Sequence, residues 1–175
     1  MDPLHVPLVA GAVLLVPAGV TKLVRPSGAY RAMRLAGVAS HVGLVRILGA
    51  VELTVAFGVI SSAAWAWSAA LGALYAGFGA FVVLALWRHA PIASCGCFGA
   101  ADPPPTAAHA GVDAALSAVG LLAAIDGVRA PLDVVRDGGT HAVIIAAGGA
   151  AVAAAVYALF RFGGSRAARS RPRPS

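Results

Sequence analysis

The chain has 175 residues, of which 59% are hydrophobic and only 11% are charged. Soluble domains usually carry about 25% charged residues, and the mean hydropathy here is +0.84, so the composition excludes a disordered chain, a coiled coil and a typical soluble enzyme. The net charge of +6 does not indicate nucleic-acid binding, because the basic residues flank apolar runs instead of lining one face of a soluble fold.

Five apolar runs are long enough, at about 20 residues each, for helices that cross a bilayer. In chain order they cover residues 6–24, 44–60, 65–87, 106–125 and 141–160. Trp65 and Trp67 at one end of the third run, and Trp87 at the other, are typical of the two membrane interfaces. The sequence therefore predicts an all-α integral membrane protein that passes several times through the cell (plasma) membrane.

The connecting segments differ in character. Residues 25–43 form a polar, arginine-containing connector, and prolines exclude helix from much of the loop at 88–105. The loop at 126–140 is charged, and the basic segment at the C-terminal end is predicted to be disordered.

The distribution of basic residues predicts the orientation. Five lie in residues 22–46, one is Arg88, and five follow residue 160, so eleven lie on one side, against only Arg129 and Arg136 on the other. Loops rich in Lys and Arg stay in the cytoplasm. The N-terminus is therefore predicted outside and the C-terminus in the cytoplasm.

Cys95 and Cys97 are the only cysteines, and Gly96 alone separates them. Two thiols at this spacing can close a small, strained disulfide, which is easily reduced. Metal binding with His89 and His109, or no chemistry at all, are the alternatives. Thiol chemistry is the better interpretation, because closed metal sites usually need four ligands. We predict that Cys95 and Cys97 are the catalytic pair and that there is no metal site.

Two carboxylates, Glu52 and Asp113, lie inside apolar runs, where they are costly and often functional. Because successive spans run in opposite directions, both are predicted in the same half of the membrane as Lys22 and the cysteines. Lys22 can extend toward Glu52, and a buried pair would offset part of the desolvation cost. Helix packing is the alternative role for Glu52 and the preferred one for Asp113.

Three elements of the sequence resemble the methylamine utilisation protein MauE family, which is related in pattern to DoxX-like four-helix membrane proteins. They are GVTKLVRP at 19–26, Glu52 within ILGAVELTVAFGVI, and CGCFG at 95–99, the last being the most specific. The resemblance covers about residues 6–125. It implies a four-helix membrane core over 1–125. Beyond this core, the fifth apolar run predicts a loop and fifth transmembrane helix over 126–162, and the basic composition predicts a disordered cytoplasmic tail over 163–175.

The resemblance also implies a function. The MauE family is associated with the maturation of methylamine dehydrogenase, together with the thioredoxin-like partner MauD, in disulfide formation or electron delivery. By position, Cys95 and Cys97 would be the redox pair, and Lys22 and Glu52 a polar pair between helices. We therefore expect a membrane thiol–disulfide relay or maturation factor that serves a thioredoxin-like membrane or exported partner, without assigning it to methylamine metabolism.

Two other functions remain open. The chain could be a non-catalytic membrane scaffold, since its Ala- and Gly-rich spans suit helix association and homo-oligomers. It could also be a DoxX-type bundle that binds a quinone or another small molecule, and only this alternative implies a cofactor. The expected partners are thus the bilayer and another protein, and not nucleic acid. One tension concerns the sides of the membrane: the charge count places the cysteines in the cytoplasm, whereas the partner is exported.

Overall fold

A computed structural model describes residues 2–94 and 104–169, with side chains up to residue 159. Cys95, Cys97 and the last six residues lie outside the described residues. Within the described part the chain forms seven helices and no strand. The helices are α1 (His5–Val24), α2 (Ser27–Leu35), α3 (Val42–Ser61), α4 (Trp65–Trp87), α5 (Ala107–Asp126), α6 (Pro131–Asp137) and α7 (Gly139–Arg169).

Five of these helices are long and apolar enough to cross a membrane: α1, α3, α4, α5 and the segment Gly139–Leu159 of α7. The predicted all-α membrane fold with five spans is therefore confirmed. The bounds of α4 are those predicted, while α3 begins two residues before its predicted run. The helix α7 continues to Arg169, beyond the boundary at 162 expected for the fifth span.

The sequence analysis did not anticipate the two short helices. Pro26 and Pro131 stand at the beginnings of α2 and α6, where the missing N–H and fixed φ of proline favour a helix. In α2 the small residues Ala29 and Ala32 are buried, whereas Arg31 is exposed. The connector is therefore an amphipathic helix that lies against the spans.

The spans pack mainly as two groups. In one, α1 contacts α3 on one side and α7 on another; in the other, α4 packs along α5. The groups meet through a buried core, and the hydroxyl of Tyr75 on α4 donates a 2.7 Å hydrogen bond to the carbonyl oxygen of Gly11 on α1. The largest buried apolar side chains in that core include Leu8, Leu15 and Leu71.

Glycines allow the closest helix contacts. A Cβ atom added to Gly120 of α5 would lie 2.5 Å from the backbone nitrogen of Gly72 on α4. Close approach of backbones at small residues is a principal source of helix association in lipid. The α4–α5 pair thus depends on the absence of side chains at these two positions.

Alternating helix directions divide the connections between two ends of the bundle. We call the end at which α1 and α4 finish and α3 and α5 begin the loop end; the described residues of its connections are 25–41, 88–94 and 104–106. At the opposite end, His5 is buried with Nδ1 3.2 Å from the carbonyl oxygen of Asp2 and Nε2 3.2 Å from that of Arg129. This contact joins the beginning of α1 to the segment between α5 and α6.

Candidate functional site: a buried ion pair between two spans

Lys22 and Glu52 form an ion pair inside the bundle. The Lys22 Nζ donates a 3.0 Å hydrogen bond to Glu52 Oε2 and lies 2.8 Å from Oε1. The relative exposure is 5% for Lys22 and 0% for Glu52. A lysine near the end of a span usually extends outward to the interface; here the side chain turns into the bundle instead.

The local sequence explains why the pair can form. Gly19 lies three residues before Lys22 on α1, and Gly49 lies three residues before Glu52 on α3. A Cβ added to either glycine would lie 2.7 Å from the carbonyl oxygen of the other, and a Cβ at Gly49 would also lie 2.9 Å from the Cβ of Lys22. The two glycines therefore bring the backbones of α1 and α3 close together. At this distance the Lys22 side chain can reach the carboxylate of Glu52, which lies about one helical turn beyond Gly49 on α3.

An aromatic side chain completes the surroundings of the ammonium group. Lys22 Nζ lies 5.4 Å from the centre of the Phe78 ring, close enough for a cation–π attraction. The Phe78 ring meets Tyr75 edge to face, with centroids 5.8 Å apart. The sequence analysis missed Phe78, because an apolar residue within an apolar span carries no local sign of such a role.

Asp113 lies elsewhere and does not join the pair. It is buried on the face of α5 that packs against α4, and a Cβ at Gly79 would lie 3.3 Å from the Cβ of Asp113. No other residue in the described part of the chain makes a hydrogen bond or ion pair with its carboxylate. The residue is only 7% exposed, and among the described residues it has no polar contact through which it would hold the helices together.

His109 caps the beginning of α5. Its Nδ1 accepts a 3.2 Å hydrogen bond from the backbone nitrogen of Thr106, and the Thr106 side chain accepts one from the backbone N–H of His109. This reciprocal arrangement is a capping box, which satisfies donors at a helix N-terminus. Across 2–94 and 104–159, no group of three or more His, Cys, Asp or Glu side chains could hold a metal ion.

The segment that leads to Cys95 is anchored on α2. Arg88 Nη1 donates a 2.7 Å hydrogen bond to the carbonyl oxygen of Ala36. Gly37 has a φ of +75°, and a side chain there would collide with the Arg88 guanidinium group. Ile92 is buried in a small apolar cluster with Ala32 of α2 and Ala85 of α4. The chain thus enters the cysteine segment from a fixed position at the loop end.

The structure therefore unites some of the sequence-predicted site residues and separates others. Lys22 and Glu52 meet, Asp113 faces a different helix, and Cys95 and Cys97 lie outside the described residues. The anchoring of Arg88 was not foreseen. Its position directly after the third span suggested an interfacial charge and nothing about α2.

Comparison with known proteins gives one family. A family model described as "Methylamine utilisation protein MauE" matches residues 3–127, which is more than two thirds of the chain and extends from α1 through α5. No curated protein and no solved structure matches the chain. The matched range contains the first four spans, Lys22, Glu52, Asp113 and both cysteines, and it ends before α6 and α7.

Proposed function

Because this chain belongs to the methylamine utilisation protein MauE family, we propose that it is a membrane thiol–disulfide relay. It would act as a maturation factor that supports disulfide formation in, or electron delivery to, a thioredoxin-like partner. The partner is a membrane-bound or exported protein. Cys95 and Cys97 are the proposed redox pair.

One observation carries the proposal: the segment before the cysteines is held on the bundle. Arg88 and Ile92 dock onto α2 and its C-terminal end, and Cys95 follows Ser94, the last described residue of that segment. Cys95 is therefore joined by one peptide bond to a segment that is held on α2. A thiol pair that directly follows an anchored segment suits repeated encounters with a second protein.

The chemistry requires only the two cysteines and a partner dithiol. A partner thiolate attacks the Cys95–Cys97 disulfide and forms a mixed disulfide, which the second partner thiol resolves. The partner gains a disulfide, and the cysteine pair gains two electrons and two protons. The reverse sequence of steps delivers two electrons to an oxidised partner.

The buried pair supports this end of the bundle. By joining α1 to α3, Lys22 and Glu52 stabilise the helices on either side of α2, and α2 carries the segment before Cys95. Asp113 lies six residues after the beginning of α5, about 9 Å into the span from the loop end. It is the candidate group for transiently holding the proton of a thiol that attacks as its thiolate.

The proposed relay must also explain why the cysteines and the partner are expected on opposite sides of the membrane. The basic residues predict that the loop end faces the cytoplasm, whereas an exported partner acts on the other side. Transfer of electrons between the two sides would connect them, and it would need a membrane-soluble two-electron carrier as co-reactant, because Cys95 and Cys97 are the only thiols in the sequence.

The experiment that tests the relay is disulfide trapping in membranes. In a Cys97→Ser variant the second thiol is absent, so a mixed disulfide between Cys95 and the partner should accumulate and disappear on reduction. The double variant Cys95→Ser/Cys97→Ser is the matched control and should trap nothing. If the single variant traps no protein, and the partner reaches the same redox state in cells with the double variant as in cells with the wild type, the relay is wrong. The scaffold alternative is then favoured.

A further inference from the structure

A pocket of about 420 Å³ lies at the loop end between the two helix groups. Its walls come from the end of α1, from α2, from the beginning of α3 and from α4. Of the described residues in this wall, only Lys22 is charged, and the others are apolar, including Met33, Leu48, Phe78 and Phe81. The pocket is therefore an apolar space with one ammonium group at its edge.

The sequence of α4 creates this space. Gly77, Ala80, Phe81 and Leu84 recur at the spacing of one helix face and line the pocket. A Cβ at Gly77 would meet no atom within 4 Å, so the glycine does not serve close packing. Gly77 and Ala80 are exposed on a membrane-spanning helix, which opens the pocket toward lipid rather than toward water. A ligand would thus enter from within the bilayer.

The ion pair restricts the charge of that ligand. Glu52 already balances the charge of Lys22, so an anionic ligand would add a net negative charge to an apolar space, which is costly. A cationic ligand would be repelled by the ammonium group. A neutral ligand avoids both penalties.

The same pair defines the polar group of the ligand. An ammonium group has three donors and no acceptor. Within the described residues, the polar contacts of Lys22 Nζ are with the two Glu52 carboxylate oxygens, at 3.0 and 2.8 Å, so at least one donor is left. A carbonyl oxygen can accept a further hydrogen bond from Nζ. The Phe78 and Phe81 side chains in the wall suit the flat or extended apolar body that would carry such a carbonyl.

We propose that the pocket between α2 and α4 binds a neutral, membrane-soluble molecule whose carbonyl oxygen accepts a hydrogen bond from Lys22 Nζ. Two membrane components share this chemistry: a prenylated ring ketone such as a quinone, and the ester carbonyl of a neutral diacyl lipid. The binding requires no cysteine, so its test does not depend on whether the relay is correct.

The test compares two glycine variants of the full-length protein. Gly77→Leu places a side chain at the pocket wall, whereas Gly111→Leu is a matched control on α5, because a Cβ at Gly111 also meets nothing within 4 Å and Gly111 does not line the pocket. Each protein is purified in mild detergent, and bound molecules are extracted and identified by mass spectrometry. A carbonyl compound retained by the wild type and Gly111→Leu, and lost from Gly77→Leu, is the expected result.

A second arm measures binding directly with two probes, a benzoquinone bearing a ten-carbon tail and a short-chain diacylglycerol. The variant Lys22→Met/Glu52→Met removes the donor and both charges together. It should weaken binding of the probe about tenfold or more, as expected for loss of a hydrogen bond to a charged group. The probe that binds identifies the source of the carbonyl. Equal retention by the two glycine variants, or binding of neither probe to the wild type, would overturn the proposal.

Discussion

Gly19 and Gly49 face each other across the α1–α3 interface so closely that a Cβ on either would lie 2.7 Å from the carbonyl oxygen of the other. Each glycine precedes one member of the buried ion pair by three residues. The close backbone contact and the Lys22–Glu52 contact are therefore one structural unit, in which the first sets the distance that the second requires.

This relationship predicts that Gly49 tolerates no side chain. In Gly49→Val the added atoms would meet the backbone of Gly19 and the Cβ of Lys22, so α1 and α3 must separate. Overpacking of this kind typically costs about 1–3 kcal/mol. Thermal unfolding of the detergent-solubilised protein should show a clear loss for Gly49→Val. Gly111→Val, at a position with open space, is the control, and equal losses in both variants would contradict the account.

The ion pair should behave as a coupled pair. Removal of one partner leaves an uncompensated buried charge, which costs about 3–5 kcal/mol in soluble proteins and less where lipid headgroups or water can reach the site. Glu52→Gln and Lys22→Met should each lower the unfolding temperature, and the double variant should recover part of the loss. Non-additivity measures the contact. If the two losses simply add, the residues act separately and Glu52 requires another role.

Asp113 should respond in the opposite direction. Its carboxylate is buried and is bonded to no described residue, so Asp113→Asn removes a charge without breaking a pair. The unfolding temperature should stay the same or rise, while disulfide exchange with the partner should slow if Asp113 accepts protons in the relay. A strong loss of stability would mean that Asp113 holds the helices together.

The orientation of the bundle is a further prediction. The eleven basic residues at the loop end and in the tail should keep that end in the cytoplasm. Green fluorescent protein fused after Ser175 should fluoresce, and alkaline phosphatase fused there should be inactive. The same reporters fused after Asp137, at the opposite end, should give the reverse pattern. Phosphatase activity at Ser175 would show an inverted bundle.

Much of the fold could be predicted because each span is a continuous apolar run. The approach of Lys22 and Glu52 could also be predicted from the sequence, because alternating helix directions and the rise per residue determine the depth of each residue in the membrane. By contrast, the helix α2 and the anchoring of Arg88 depend on contacts between distant segments. The polar composition of residues 25–43 contains no sign of the surface that α2 covers.

The pocket could not be predicted for a similar reason. Gly77 resembles Gly72 in the sequence, yet Gly72 packs against α5 while Gly77 borders open space. Only the arrangement of four helices distinguishes a glycine that closes an interface from one that leaves a cavity. The roles of Cys95 and Cys97 stay predictions from their spacing and from the family.

The redox state of the two cysteines tests the central claim most directly. Membranes are quenched with acid and treated with a maleimide reagent that adds a fixed mass to each free thiol, with and without prior reduction, in cells with and without an active partner. A relay predicts that Cys95 and Cys97 change together between a disulfide that takes up no reagent and a dithiol that takes up two equivalents. Full modification of both cysteines under every condition would contradict the relay.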